Sequence, residues 1–274
     1  MTTGAYPLLP RLPPRAFRLG TTSYVHPADV LPNVEALCGQ VEDIELVLFE
    51  SDDVSNLPTP AVVGRLAALA EAGGHTYTIH FPIDRKLGAE SAAEREALRL
   101  QMLRILERTR PLRPYACILH LEGIGPAADA ARVRQWQRDV DGEIARLLDA
   151  GGARPELFCV ENLGYPFEWC APAIEKHGLA VCTDIGHLWR YGADVEAHLR
   201  AWLPRTRVVH LHGERGGRDH LALGRADSAR LDAALRALGG YSGVVTLELF
   251  DYAAVLDSLG VLAAWLEEKK RRSG

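Results

Sequence analysis

His80, His120, Glu161, Asp184, His187, His210, His212, Asp219, His220 and Glu248 are the residues whose types and spacing could do chemistry together. Imidazole nitrogens and carboxylate oxygens form a mixed donor set that suits Zn, Mn or Fe, whereas Mg and Ca prefer all-oxygen cages. His80, His120, Glu161, Asp184, His210 and Glu248 each stand at or near the end of a short apolar run. Any one of them alone reads equally well as a satisfied polar group. Buried together without partners, they would carry a desolvation cost of roughly several kcal/mol each. A shared cation removes that cost. The segment CTDIGHLWRYG (182–192) adds a further imidazole, because Asp184 closes an apolar run and His187 follows within one turn. His187 can then meet Asp219 and His220, from GERGGRDHLALG, around a neighbouring ion or a substrate group. His212 lies two residues beyond His210, on the same side of its strand, and is a supporting or substrate-contacting residue.

These side chains need elements to bring them together. Short β-rich runs alternate with longer segments in which Leu, Ala and Val recur at helical spacing. Strands are expected at 17–23, 44–50, 76–81, 115–121, 157–162, 179–185, 207–213 and 244–250. Helices are expected near 29–39, 60–72, 90–109, 129–150, 166–177, 194–202, 227–238 and 252–270. Apolar strands separated by helices imply parallel pairing with both faces covered. Eight such units predict a single (β/α)8 TIM barrel over residues 17–270, behind an extended proline-rich lead-in at 1–16. An open doubly wound sheet would want a glycine-rich phosphate loop after the first strand, and GTTSYVHP is not one. In a barrel the six ligand-bearing strand ends converge on one mouth, where the catalytic groups of this fold lie. His26 and Glu50 follow the first two strands at that end and are candidate substrate contacts. His75, His177 and His198 fall before strands or on helices and read as structural.

Composition narrows the class. No run of about 18 apolar residues could span a bilayer, so no membrane partner is expected. The N-terminus lacks the basic start and long apolar core of a signal peptide. Of the five cysteines, Cys117, Cys159 and Cys182 sit in apolar runs, which points to reduced thiols and a cytoplasmic protein. A net charge of −5 lacks the basic excess of a phosphate-backbone binder, so nucleic acid is not an expected partner. There is no GxSxG elbow or Walker-type loop, which argues against serine-hydrolase and P-loop chemistry.

Two cations about 3.5–4 Å apart, bridged by one carboxylate, lower the pKa of a shared water and stabilise both oxygens of an in-line displacement. That chemistry is phosphodiester hydrolysis. Glu161, midway along the series of ligand-bearing strands, is the natural bridge, with Asp184 and Glu248 as further catalytic carboxylates. The same donors around one or two ions could instead polarise a ketose while a glutamate moves a proton between carbons, which is sugar isomerisation.

The order His80, His120, Glu161, Asp184 with His187, His210, Asp219 with His220, then Glu248 resembles the xylose isomerase-like TIM barrels. Within them it is similar to the apurinic endonuclease branch with its trinuclear zinc site. That resemblance implies His80, His120 and Glu161 on a first metal, and Glu161, Asp184, His210 and Glu248 on a second. His187, Asp219 and His220 would hold a third. The endonucleases carry Asp-x-His in the last loop, whereas Asp219 and His220 are adjacent here, which leaves the third site open.

The strings GTTSYVHPADVLPN, DIELVLFES, TYTIHFPIDRKLG, CVENLGYPFE, CTDIGHL, HLHG with RDHLAL, and VVTLELF resemble the cobamide-remodelling phosphodiesterases of this superfamily. Those enzymes open the nucleotide loop of cobamides, the vitamin B12-like corrinoids. The resemblance implies a small-molecule corrinoid substrate and two or three divalent ions, Zn first, with Mn or Fe as alternatives. Tyr24, Tyr165, Phe167, Trp169, Trp189 and Tyr191 would line a mouth for the macrocycle. Arg85, Arg190, Arg215 and Arg218 offer charge to its phosphate. A sugar isomerase or epimerase of the same superfamily, and a corrinoid-binding protein without turnover, are the alternatives.

Overall fold

In the computed structural model, which describes residues 7–50 and 54–273, the apolar runs become parallel strands of a closed barrel. Its strands are β1 (Arg18–Thr22), β2 (Asp43–Val47), β3 (Thr76–His80), β4 (Ala116–Leu119), β5 (Phe158–Glu161), β6 (Ala180–Asp184), β7 (Thr206–Leu211) and β10 (Val244–Leu247). Each pairs in parallel with its neighbours in chain order, and β1 closes the ring on β10. The covering helices are α1 (Val30–Leu37), α2 (Pro60–Gly73), α3 (Ala92–Thr109), α4 (Ala130–Gly151), α5 (Ala171–His177), α7 (Val195–Trp202), α8 (Ser228–Ala237) and α9 (Tyr252–Ser273). Side chains of Thr59, Ser91, Asp129, Asp194 and Asp227 accept the orphan amides that open α2, α3, α4, α7 and α8. These are the barrel and the alternation expected from the sequence.

Two elements interrupt that alternation, and both serve the mouth. A short helix, α6 (Ile185–Arg190), follows β6 directly, and an antiparallel hairpin of β8 (Gly213–Arg215) and β9 (Arg218–Leu221) follows β7. Gly216 and Gly217, with φ of 63° and 79°, make the hairpin turn that an L side chain would strain. Elsewhere the expected strands overrun the observed ones, as at 244–250 against Val244–Leu247. Leu249 stays fully buried beyond the strand end, so apolarity alone did not mark where pairing stops. The helix expected at 166–177 begins only at Ala171, after a tight turn over Phe167–Trp169.

The period of two in a strand explains why the ligands meet. Ala116, Ile118, Cys159, Ala180, Cys182, Val208 and Val244 form one apolar cluster inside the barrel, separate from the core between strands and helices. Stepping two residues at a time toward the C-terminal ends continues this inner row into His120, Glu161, Asp184, His210 and Glu248. The apolar rows fill the barrel shaft and the polar ones cap it.

Of the expected lead-in, residues 7–16 carry no helix or strand, with Leu9 buried and its N–H donating to Gln40; residues 1–6 lie outside the described residues. All five cysteines are free thiols. Among the described residues no helix is long and apolar enough to cross a membrane.

Candidate metal centre

Glu161, at the end of β5 and 1% exposed, stands at the middle of the site. Its Oε2 lies 2.9 Å from His120 Nε2, 3.7 Å from His80 Nε2 and 3.6 Å from His210 Nδ1. Its Oε1 lies 3.2 Å from His187 Nδ1. His80, His120 and Glu161 bring ligand atoms within 4.8 Å of one another, and so do Glu161, Asp184, His210 and Glu248. One carboxylate is thus common to two donor groups, as a bridge requires.

Asp184 ends β6 and at the same time caps α6, its Oδ1 accepting the N–H of His187 at 2.7 Å. The single turn returns His187 Nδ1 to 3.1 Å from Asp184 Oδ2. Between them Gly186 is required: a Cβ there would stand 1.9 Å from Cε1 of the buried His212 ring. The spacing D-I-G-H therefore encodes a cap, a gap for a second imidazole, and a ligand type. His220 takes a left-handed backbone (φ 50°), stacks on His212 with ring centroids 4.2 Å apart, and sets Nε2 3.2 Å from Glu248 Oε2. Such a conformation costs a non-glycine residue on the order of 1–3 kcal/mol.

The site is electrostatically unusual. Burial alone would lower His120, but the Glu161 and Glu122 carboxylates beside it raise its pKa to about 10. Burial likewise opposes charge on His187, while Asp184, Glu161 and Glu248 lift it to about 9. In turn, burial would raise Glu161 and Glu248, and the neighbouring imidazoles outweigh it and hold both well below the usual carboxylate range. The groups hold their charges only by facing one another. Glu161 Oε1 and His210 Nδ1 are nevertheless buried without a hydrogen bond. Inward donors left unsatisfied beside buried carboxylates are what divalent cations need, so the residues fit metal ions.

Two residues essential to this geometry escaped the sequence reading. Glu45, from β2, is fully buried and reaches across the barrel to set Oε2 2.9 Å from His210 Nε2, leaving Nδ1 to face the centre. Glu122 lies 3.4 Å from His120 Nδ1 and does the same for that ring. A carboxylate on the outer nitrogen fixes ring orientation and basicity in metal sites. A glutamate inside the apolar string IELVLFE was the available signal for Glu45.

The candidate substrate residues are dispersed. Tyr165 is buried, donates to Leu121 O, and forms part of the wall of a groove of about 930 Å³ that also touches Lys86, Glu122, Arg132 and Tyr191. Trp189 is buried under Arg230, whose guanidinium lies 5.5 Å from its ring, because α6 turns that face inward. His212 is fully buried, with Nε2 3.2 Å from Asp184 Oδ2. His26 is buried against Tyr252, and Glu50 pairs with Arg104 of α3. Arg85 lies half-buried on the loop after β3. Asp219 is drawn to Arg190, with His187 Nε2 at 3.8 Å and His220 Nδ1 at 3.3 Å, and the imidazoles that converge beside it are His187, His212 and His220. Phe167 packs on Trp202 and His198, and is not open to the mouth. Of the loop aromatics only Tyr191 is prominently exposed, and it shares the rim with Phe49, Ile83 and Phe250, which the sequence reading did not single out. His75, His177 and His198 lie outside the centre, packed on Tyr77, paired with Asp141 and packed on Phe167 respectively.

A closed eight-stranded barrel with buried His, Glu and Asp clusters at its C-terminal mouth defines a metal-binding TIM-barrel enzyme. The chain belongs to the xylose isomerase-like TIM barrel family, whose model matches residues 40–269. No curated protein matches the sequence. Among solved structures it is similar to a D-tagatose 3-epimerase-like protein, with a TM-score of 0.77, 17% identity, and coverage of 94% of this chain and 100% of that one. It is also similar to the 3-keto-D-glucoside 4-epimerase YcjR from E. coli, with a TM-score of 0.68, 13% identity, and coverage of 90% and 99%. The zinc-bound IOLI protein gives a TM-score of 0.69 at 13% identity, covering 92% and 99%. At these identities the likeness is one of fold.

Proposed function

We propose that the protein is a metal-dependent phosphodiesterase that hydrolyses the nucleotide loop of cobamides. The observation that carries this reading is the pairing of donors for more than one cation with an apolar rim. Phe49, Ile83, Tyr191 and Phe250, between 37% and 58% exposed, stand on the loops after β2, β3, β6 and β10. A groove of about 930 Å³ opens beside one of them, Tyr191, and is lined also by Tyr165, Lys86, Glu122 and Arg132. A corrinoid presents a broad apolar face to such a rim. The sequence strings that resemble those of the cobamide-remodelling enzymes support the same reading.

Divalent cations held at this site would supply a water of lowered pKa and positive charge opposite the developing oxyanions of a phosphodiester. Glu161 belongs to both donor groups and fixes their spacing. Glu45 and Glu122 orient His210 and His120 from behind. Lys86, on the groove wall, can neutralise the substrate phosphate. The rim residues seat the macrocycle and exclude bulk water from the reacting group.

A second reading, a sugar isomerase or epimerase, has its own observation. Glu161, Asp184, His210 and Glu248 suffice for one cation and include two glutamates that could exchange a proton with a ketose. The solved structures of similar fold include epimerases. The readings separate when metal-reconstituted protein is incubated with a cobamide and, in parallel, with a panel of ketoses, followed by chromatography. Phosphodiesterase action opens the cobamide and leaves the ketoses unchanged. Epimerised ketose beside intact cobamide would establish the second reading, and intact cobamide that co-elutes with the protein would indicate binding without turnover.

A further inference from the structure

His212 is a fully buried imidazole whose two shortest polar contacts agree on one assignment of its proton. On one side, the backbone N–H of His220 points at Nδ1 from 2.9 Å. A backbone amide can only donate, so Nδ1 must offer a lone pair. On the other side, Nε2 lies 3.2 Å from each oxygen of Asp184, and a carboxylate can only accept. The proton therefore sits on Nε2. The carbonyl of Gly213, 3.3 Å from Nδ1, would call for the opposite tautomer. It is the longer contact, and adopting it would set two hydrogens against each other along the His220 amide. Both ring nitrogens are thus committed before any cation arrives, although His187, His212 and His220 bring ligand atoms within 4.8 Å of one another.

We propose that His212 is a positioning residue of the metal centre and not one of its ligands: its Nε2–H braces the Asp184 carboxylate, and its Nδ1 ties that brace to the hairpin backbone at His220. Three features of the chain exist to keep the arrangement. Gly186 leaves the space that the His212 ring fills. The left-handed backbone of His220 aims its N–H at Nδ1 while its own ring stacks on His212. The His187 N–H holds Asp184 Oδ1 from the opposite side. Asp184 is clamped between α6 and the β8–β9 hairpin, so an ordered hairpin is a condition of a well-formed centre. This inference rests on the metal centre and is independent of the substrate.

The test compares wild type with His212→Gln and His212→Ala. A glutamine amide can still donate to Asp184 from the position of Nε2, but it is a poor metal ligand. Zinc content per chain at saturation, zinc affinity by competition with a chromophoric chelator, and the visible spectrum of the Co(II)-loaded protein are measured. The expected result is an unchanged metal count in both variants, an affinity and Co(II) spectrum close to wild type in His212→Gln, and an affinity weakened about 10–100-fold in His212→Ala. Loss of one ion per chain in His212→Gln, or an altered Co(II) band in that variant, would overturn the proposal by making His212 a ligand. Should His212→Ala not fold, the count and spectrum of His212→Gln decide alone. Wild-type protein that takes up no zinc or Co(II) would bring down the metal centre itself and this inference with it.

Discussion

At the scale of single residues, the centre depends on carboxylates that act through other side chains as well as those that face the mouth. Glu45 is the clearest case: it holds His210 Nε2 through Oε2, and it also brings a ligand atom within 4.8 Å of those of His80 and Glu248. Glu45→Ala should weaken zinc affinity about 10–100-fold, read by chelator competition, while Glu45→Gln, which keeps an acceptor oxygen, should lose less. A buried carboxylate two residues earlier on the same strand behaves differently. Asp43 is raised to about 7 from 3.8, by burial against the opposing influence of Thr76, Thr78 and Arg18, with Glu45 adding to the rise. Its folded-state pKa exceeds the unfolded one, so its contribution to stability is full below about 3.8 and is lost as pH rises to about 7. Asp43→Asn should therefore gain stability over wild type as pH increases across that window, by up to roughly 4 kcal/mol at pH 8, measured by denaturant melts at several pH values. The ligand types at the strand ends were legible because each interrupts an apolar run. Glu45 was not, because a strand residue at mid-run gives no sign of what stands across the barrel. The burial of Trp189 and exposure of Phe250 were equally hidden, since a loop aromatic reveals its direction only once the loop is folded.

At the scale of elements, β6 and α6 form one unit in which strand end, helix cap and ligand type coincide. Gly186→Ala would drive a methyl group into the His212 ring. The expected outcome is a loss of about 1–3 kcal/mol in stability from overpacking, accompanied by weaker zinc binding because Asp184 shifts. Thermal melts of the metal-free protein, together with zinc titration, separate the two effects. The barrel strands and covering helices were readable from periodicity because each repeats the same physical problem of burying one side. The additional α6 and the hairpin were not readable in that way. They are too short for a helical or strand period to show, and polar contacts fix their places: the Asp184 cap, the paired glycines of the turn and the His220 amide. The convergence of His187 with His212, and the diversion of Asp219 to Arg190, follow from these two elements and could not be foreseen without them.

At the scale of the whole molecule, the barrel gathers buried charges from six strands at one end and an apolar rim above them. Such a centre couples metal binding to folding, because the imidazoles and carboxylates are organised only in the native chain. Removing metal with a chelator should lower the melting temperature, and restoring zinc at about 100 times its Kd should return roughly 2.7 kcal/mol of stability. The proposed hydrolysis of a cobamide phosphodiester is tested most directly by phosphorus-31 NMR of a cobamide incubated with zinc-, manganese- or iron-loaded protein, with Glu161→Gln as the control. The expected result is conversion of the diester resonance to that of a phosphomonoester by wild type and no conversion by the variant. A diester signal that persists with every metal in fully loaded wild-type protein, or one that the variant consumes equally well, would contradict it.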